Sequence, residues 1–164
     1  MEISNKPVVQ KIIQECINHG IKHIVFSPGS RNAPFAISFD VHPDFETHVI
    51  HDERAAAFYA LGMSQTLQQT VALCCTSGSA VLNYFPAISE AFYREQRLLI
   101  LSADRPKRLI NKGHGQTIMQ HEVFGKHVKQ SLSVEDSNGK MNHNSITDFF
   151  GKMQESPYRP MHLN

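Results

Sequence analysis

The sequence lacks the features that mark disulfide-stabilised, membrane-spanning and polyanion-binding proteins. Only three of its 164 residues are cysteines and no Cys-x-x-Cys pair occurs, so neither a disulfide framework nor a zinc site is predicted. No apolar run approaches the roughly 18 residues of a membrane span, and the amino terminus does not have a signal-peptide pattern. The formal net charge is +1, so nucleic acid is not an expected partner. We expect a soluble, cytoplasmic protein with reduced core thiols.

Motifs of several enzyme classes are also missing. Gly113-His114-Gly115 begins a G-x-G-x-x-G pattern, but Ile118 occupies its last glycine position, and no Walker loop occurs. No G-x-S-x-G motif surrounds Ser77 or Ser79, so a nucleophilic serine is not predicted. His19 and His23 are four residues apart, but a helix is expected to end at the glycine between them. No metal ligands are therefore predicted in this chain.

What is present is a repeated alternation of short apolar strands and amphipathic helices. Two of the strands are apolar throughout, as is typical of a parallel sheet with helices on both faces. The pattern predicts one α/β domain over residues 1–164, a three-layer αβα fold with a doubly wound parallel sheet. The predicted strands are 22–26, 47–50, 70–75, 97–102, 127–132 and 161–164; the predicted helices are 7–18, 33–40, 53–68, 79–95, 119–125 and 145–155, with a polar loop at 133–144.

The turn after the first strand is the most informative segment. In such sheets ligands bind beyond the carboxyl ends of the strands, so the turns there should share one edge. The chain breaks at Pro28-Gly29 and re-enters a helix near Ala33, which leaves backbone N–H groups, the Ser30 hydroxyl and the Arg31 guanidinium available to an anion. An ordinary turn with a solvated arginine is the alternative interpretation.

Three further turns should lie at the same edge. Asp52 is a predicted helix N-cap and Glu53 follows it in the first turn, where acidic residues are also favoured on structural grounds alone. The small residues at 76–80 allow another molecule to approach the backbone, and Asn83 follows one helical turn later. Arg105 stands beside a proline in the last turn.

Together these segments resemble a known family. SPGSRNAPF, HDERAAAFYALG, TSGSAVLNYFPAISEA and LSADRP are similar, in order and spacing, to the N-terminal pyrimidine-binding (Pyr) domain of thiamine-diphosphate enzymes. The pairing of SPGSR with ADRP resembles, more narrowly, the synthases of menaquinone biosynthesis. The resemblance covers the chain from about Pro7 to Asn164. Departures from the family pattern occur at Lys107, Arg108 and Thr117, and they affect expected substrate contacts more than the expected reaction class.

The resemblance implies roles for individual residues. Glu53 would be the catalytic carboxylate that hydrogen-bonds N1′ of the cofactor's aminopyrimidine, which favours the tautomer that removes the thiazolium proton. Besides Glu53, the implied cofactor-binding residues are Pro28, Gly29, Ser77 and Asn83, and the implied substrate-binding residues are Ser30, Arg31, Arg105 and Gln116.

The resemblance also implies a reaction and partners. The enzyme would decarboxylate 2-oxoglutarate and add the succinyl carbanion to isochorismate, with thiamine diphosphate and Mg²⁺ or Mn²⁺ as cofactors. The family holds the metal with a Gly-Asp-Gly motif that does not occur here. We therefore expect the central and diphosphate-binding domains to be absent from this chain, which alone would be inactive. The complete enzyme would be a homodimer or homotetramer, since the family's glutamate acts on a cofactor held by the partner subunit.

Two alternatives remain open at this point. The chain could be the Pyr domain of another thiamine-dependent carboligase or decarboxylase, or a non-catalytic α/β module that binds an anion.

Overall fold

The apolar runs form one parallel sheet in the computed structural model, which describes residues 4–134 and 143–164. Within that part of the chain the sheet has six strands, all parallel, in the order β2-β1-β3-β4-β6-β5. The strands are β1 His23–Phe26, β2 Glu46–Val49, β3 Val71–Cys75, β4 Leu98–Ser102, β5 Gln130–Leu132 and β6 Met161–Leu163, and the helices are α1 Pro7–Asn18, α2 Ala33–Asp40, α3 Glu53–Leu67, α4 Ser79–Asn83, α5 Phe85–Tyr93 and α6 His143–Met153.

Helices cover both faces of the sheet. Alternate strand residues point to opposite faces, so Ile24 and Leu99 pack with residues of α1, α2 and α6. Val25 and Ile100 point the other way and pack with residues of α3, α4 and α5. The central strands β3 and β4 are buried along their whole length, which explains why every residue in them except Ser102 is apolar. The predicted three-layer αβα fold is confirmed.

The predicted helix 79–95 was wrong in one respect. The structure divides it at Tyr84 into α4 and α5. Pro86 has no N–H to donate to the carbonyl of Leu82, and its ring crowds that carbonyl, so a continuous helix through this point is disfavoured. The Tyr84 N–H instead bonds the Val81 carbonyl at 3.2 Å, in the tighter three-residue pattern.

The segment that follows β4 also differs from the prediction. The predicted helix 119–125 is replaced by turns, which lead into a 3₁₀ turn at Gly125–His127. The strand predicted over 127–132 begins only at Gln130, because residues 125–127 belong to that turn. Most of the predicted loop 133–144 lies outside the described residues. The predicted final strand is confirmed as β6, which lies between β4 and β5 rather than at an edge.

Two features bear on the environment of the protein. Cys16, Cys74 and Cys75 are all free and buried, as expected from their apolar contexts. No helix in the described ranges is long and apolar enough to cross a lipid bilayer.

Candidate functional site

Direct contacts join the turns at the carboxyl ends of β1, β2 and β3. The Ser27 N–H donates to the Cys74 carbonyl at 3.0 Å, and the Ser27 hydroxyl donates to the Ile50 carbonyl at 2.8 Å. The buried Asn32 amide donates to the Ser27 carbonyl at 2.9 Å, which closes the turn that contains Pro28 and Gly29. The prediction that these turns share one edge is confirmed.

Two glycines allow the turns to pack closely. A Cβ atom at Gly29 would lie 2.5 Å from the Cβ of Thr76, so the first and third turns touch through a position that no side chain can occupy. Gly78 has φ +82°, and a Cβ there would lie 2.9 Å from the Cα of Gln116. The second contact places the backbone of Gln116 against the third turn. These glycines position their own chain, a role that the sequence alone did not reveal.

Glu53 is the first residue of α3 and is partly buried. Asp52 is its N-cap, as predicted, and accepts a hydrogen bond from the Ala55 N–H at 2.7 Å. Within the described part of the chain, no group hydrogen-bonds or ion-pairs with the Glu53 carboxylate. Burial chiefly raises the pKa of the Cys75 thiol, with smaller contributions from Cys74 and the Glu53 charge.

A polar network joins the third and fourth turns. Gln120 is fully buried and accepts a hydrogen bond from the Gly78 N–H at 3.1 Å, while its amide donates to Asn164 at 2.7 Å. The Asn164 amide then donates to Asp104 at 3.1 Å, and Asp104 accepts from the Arg105 N–H at 2.6 Å. The network fixes the backbone on both sides of the candidate site. Sequence analysis did not single out Gln120 or Asn164.

His162 lies behind this network, in β6, and is fully buried. The Ser102 hydroxyl donates to Asn164 at 2.9 Å, so the 2.7 Å contact between Ser102 and His162 Nε2 requires the histidine to be the donor. His162 Nδ1 then accepts from the Ser131 hydroxyl at 3.1 Å. Burial, with a smaller effect of His121, lowers the pKa of His162 to about 3, so the ring is neutral.

Several polar groups at this edge have no partner among the described residues. The hydroxyls of Thr76 and Ser77 are buried without a hydrogen bond, and so is Nε of Arg105. Arg31 is exposed, and no carboxylate in the ranges 4–134 and 143–164 pairs with Arg31 or Arg105. Buried polar groups are normally satisfied, so these groups fit a site that is completed by a polar or anionic ligand.

The remaining predicted site residues are exposed, and they differ in their contacts. Pro28 and Ser30 are exposed in the first turn, and Gln116 is exposed beside the third. Asn83 is exposed at the end of α4, where its amide donates back to the Ser79 carbonyl at 2.9 Å. No observation brings the Asn83 side chain into the site, and its assignment stays a prediction.

These observations define a parallel α/β domain. At the carboxyl edge of its sheet it presents a partly buried glutamate and two arginines that have no charged partner in the described part of the chain. Residues 7–128 match the family model described as thiamine pyrophosphate enzyme, N-terminal TPP binding domain. The chain belongs to this family.

Comparison with curated relatives points to a narrower group within this family. The chain is 46% identical over 158 residues to 2-succinyl-5-enolpyruvyl-6-hydroxy-3-cyclohexene-1-carboxylate synthase of Flavobacterium psychrophilum, a match that covers 96% of this chain and 28% of the relative. It is 51% identical over 134 residues to the synthase of the same name from Christiangramia forsetii, with coverage of 82% and 23%. The resemblance inferred from the motifs is confirmed, and the chain spans less than a third of the length of these relatives.

Solved structures share the fold. A thiamine diphosphate-dependent 4-hydroxybenzoylformate decarboxylase from Rhodococcus jostii RHA1 superposes with a TM-score of 0.80 over 95% of this chain and 29% of that chain, at 16% identity. Benzoylformate decarboxylase from Polynucleobacter necessarius gives a TM-score of 0.79 with the same coverage, at 19% identity. At these identities the similarity establishes the fold alone.

Proposed function

We propose that residues 1–164 are the pyrimidine-binding domain of a thiamine-diphosphate-dependent synthase that decarboxylates 2-oxoglutarate and joins the succinyl unit to isochorismate. The identity of 41–51% to synthases of this type supports the reaction. The chain covers 23–30% of those relatives, which supports the view that the central and diphosphate-binding domains lie elsewhere. The chain alone would then be inactive.

The unpaired Glu53 carboxylate is the observation on which the proposal chiefly depends. Thiamine diphosphate, when bound, would supply an acidic C–H group whose carbanion, formed when the proton is removed, can add to the keto group of a 2-oxoacid. Glu53 would face N1′ of the cofactor's pyrimidine and share a proton with it. Its partial burial at the start of α3 limits competition from water, and no neighbouring cation in the described chain neutralises it.

The residues present fit a pyrimidine ring. The buried hydroxyl of Ser77 lacks a partner and could hydrogen-bond the ring, while Pro28 and Gly29 would contribute the wall on the β1 side. Gly29 cannot be enlarged because Thr76 occupies the space, so this wall is held in place. Asn83 would have to leave its hydrogen bond to Ser79 in order to contribute.

The free arginines support a substrate with several carboxylates. Arginine binds a carboxylate through two parallel hydrogen bonds, which lysine cannot reproduce. Arg31 and Arg105 have no carboxylate partner among residues 4–134 and 143–164, so both remain available to 2-oxoglutarate or isochorismate. Ser30 and Gln116 would complete this group as neutral hydrogen-bonding residues.

Exposed apolar side chains support assembly with a second subunit. Val49 ends β2 at the candidate edge and is 52% exposed, and Met119 is 75% exposed in the segment that contacts the third turn. We propose that the partner subunit of a homodimer or homotetramer covers these side chains and holds the cofactor's diphosphate with Mg²⁺ or Mn²⁺. The buried free thiols are compatible with the cytoplasm as the compartment.

The proposal can be tested in an enzyme that combines residues 1–164 with a central and a diphosphate-binding domain. The measurement is thiamine-diphosphate-dependent loss of 2-oxoglutarate in the presence of isochorismate, for the parent enzyme and for Glu53→Gln. We expect the variant to lose about 100-fold or more in kcat, the usual contribution of a proton-transfer group. Glu95→Gln, at an exposed position outside the site, is the matched control. Preferential turnover of pyruvate, or a rate indifferent to Glu53, would contradict the proposal.

A further inference from the structure

A second group of chemically active side chains lies on the outermost strand β2 and its neighbour β1, outside the proposed thiamine site. We propose that His23, Glu46 and His48 form a binding site for a divalent transition-metal ion such as Zn²⁺. Among the described residues, these three form the single group of histidine, cysteine or acidic side chains whose ligand atoms lie close enough together, within 4.8 Å of one another.

The register of the parallel strands creates this group. His23 begins β1 and is paired with Glu46, the first residue of the edge strand β2. His48 lies two residues further along β2 and therefore shares a face with Glu46. The two histidines are far apart in the chain, which is why their spacing did not predict a metal site.

The distances suit metal ligands better than they suit hydrogen bonds. His23 Nδ1 lies 3.5 Å from one carboxylate oxygen of Glu46, and His48 Nε2 lies 3.5 Å from the other. Hydrogen bonds between such groups are about 2.7–3.2 Å long. Two ligands each about 2.1 Å from a tetrahedral zinc ion are about 3.4 Å apart, so the observed separations leave room for the ion.

The two histidine nitrogens are otherwise unused. Both are inaccessible to solvent and have no hydrogen-bond partner among residues 4–134 and 143–164, a costly state for a buried polar atom. Glu46, by contrast, is 65% exposed, so its carboxylate can turn toward the rings without disturbing the core. A cation bound between the three residues would satisfy both nitrogens at once.

A neighbouring tyrosine supports the orientation of one ring. The Tyr59 hydroxyl lies 3.5 Å from His48 Nδ1, and the two rings are in contact with their centroids 5.6 Å apart. If Nε2 binds the metal, Nδ1 carries the proton and points it toward Tyr59, an arrangement that metal-binding histidines commonly use. Tyr59 comes six residues after Glu53 in α3, about 9 Å further along the helix. The three proposed metal ligands are also distinct from the residues of the proposed cofactor site.

The ligand set indicates the kind of metal. Two imidazoles and one carboxylate suit Zn²⁺ and related ions, and they suit Mg²⁺ poorly because Mg²⁺ prefers oxygen ligands. The remaining coordination position would be filled by water. Because Glu46 and His48 belong to the edge strand and His23 to its neighbour, the bound ion would fasten β2 to β1.

The test uses the untagged 164-residue chain after removal of metal by a chelator. Titration with Co²⁺, followed by its visible absorption spectrum and by displacement with Zn²⁺, reports both stoichiometry and geometry. We expect one equivalent with a tetrahedral spectrum, and a melting temperature about 5 °C or more higher with saturating Zn²⁺. Mg²⁺ at the same concentration should produce neither effect.

Variants separate this site from general histidine binding. His48→Gln and Glu46→Gln should each weaken Zn²⁺ affinity at least tenfold, while His114→Gln, at an exposed position elsewhere, should leave it unchanged. Glu46→Gln alters an exposed side chain, so the metal-free variant should melt within a degree or two of the parent. Equal Zn²⁺ affinity of the parent and these two site variants, or no saturable binding to the parent, would overturn the proposal.

Discussion

The buried, neutral His162 should make the stability of this domain depend on pH. Its pKa in the folded state is about 3, against 6.5 for a histidine in the unfolded chain. Between these values the unfolded state binds more protons, so stability rises with pH and is lost as pH falls below about 6.5. From the two pKa values, we expect this residue to lower the free energy of unfolding by about 2 kcal/mol at pH 5 relative to pH 8.

The measurement is urea denaturation of the parent and of His162→Gln at intervals from pH 5 to 8. At pH 8 the variant should be less stable by about 1–3 kcal/mol, because Ser102 and Ser131 lose hydrogen bonds to the ring. At pH 5 that difference should shrink by about 2 kcal/mol, since glutamine does not titrate. His114→Gln, which changes an exposed histidine, serves as the control. A parent-to-variant difference that is the same at both pH values would refute the reasoning.

Two further predictions concern the close contacts beside the site. Gly78→Ala should lower the free energy of unfolding by about 1–3 kcal/mol in urea denaturation, because alanine would be held at φ +82° and its Cβ would meet the Gln116 backbone at 2.9 Å. Gly151→Ala, in open space within α6, is the control and should not be destabilising, so equal effects of the two substitutions would contradict the prediction. Burial raises the pKa of the Cys74 thiol to about 12, so iodoacetamide at pH 8 should label this residue in the denatured chain and not in the native one. Peptide mass spectrometry measures the labelling, and rapid labelling of the native chain would show that β3 is accessible to the reagent.

Local sequence signals predicted most of the elements. Helix α1 begins at Pro7 and ends before Gly20, whose φ of +66° is the conformation that a glycine stop provides. The apolar runs 71–75 and 98–101 predicted strands β3 and β4, and this pattern reflects burial on both faces of the sheet. The apolar periodicity predicted one continuous helix over 79–95, because it continues through Tyr84. It gives no sign that Pro86 interrupts the backbone hydrogen bonds there and divides the helix in two.

The candidate site was predicted in part. Glu53, Arg31 and Arg105 were placed at one edge because parallel strands present their carboxyl ends together. The supporting network of Gln120 and Asn164 was not predicted, since each is an ordinary polar residue in its own segment and lies far in sequence from its partners. Long-range hydrogen bonds of this kind leave no periodic signal.

The sequence by itself determined the αβα class, the four turns and the family, because periodicity, turn chemistry and motif order are local properties of the chain. Tertiary structure alone decided the position of β6 between β4 and β5, the neutral state of His162 and the meeting of His23 with His48. Each of these depends on strand order and register, which bring together residues that are distant in sequence. The burial that results, rather than residue type, then decides their protonation and their available partners.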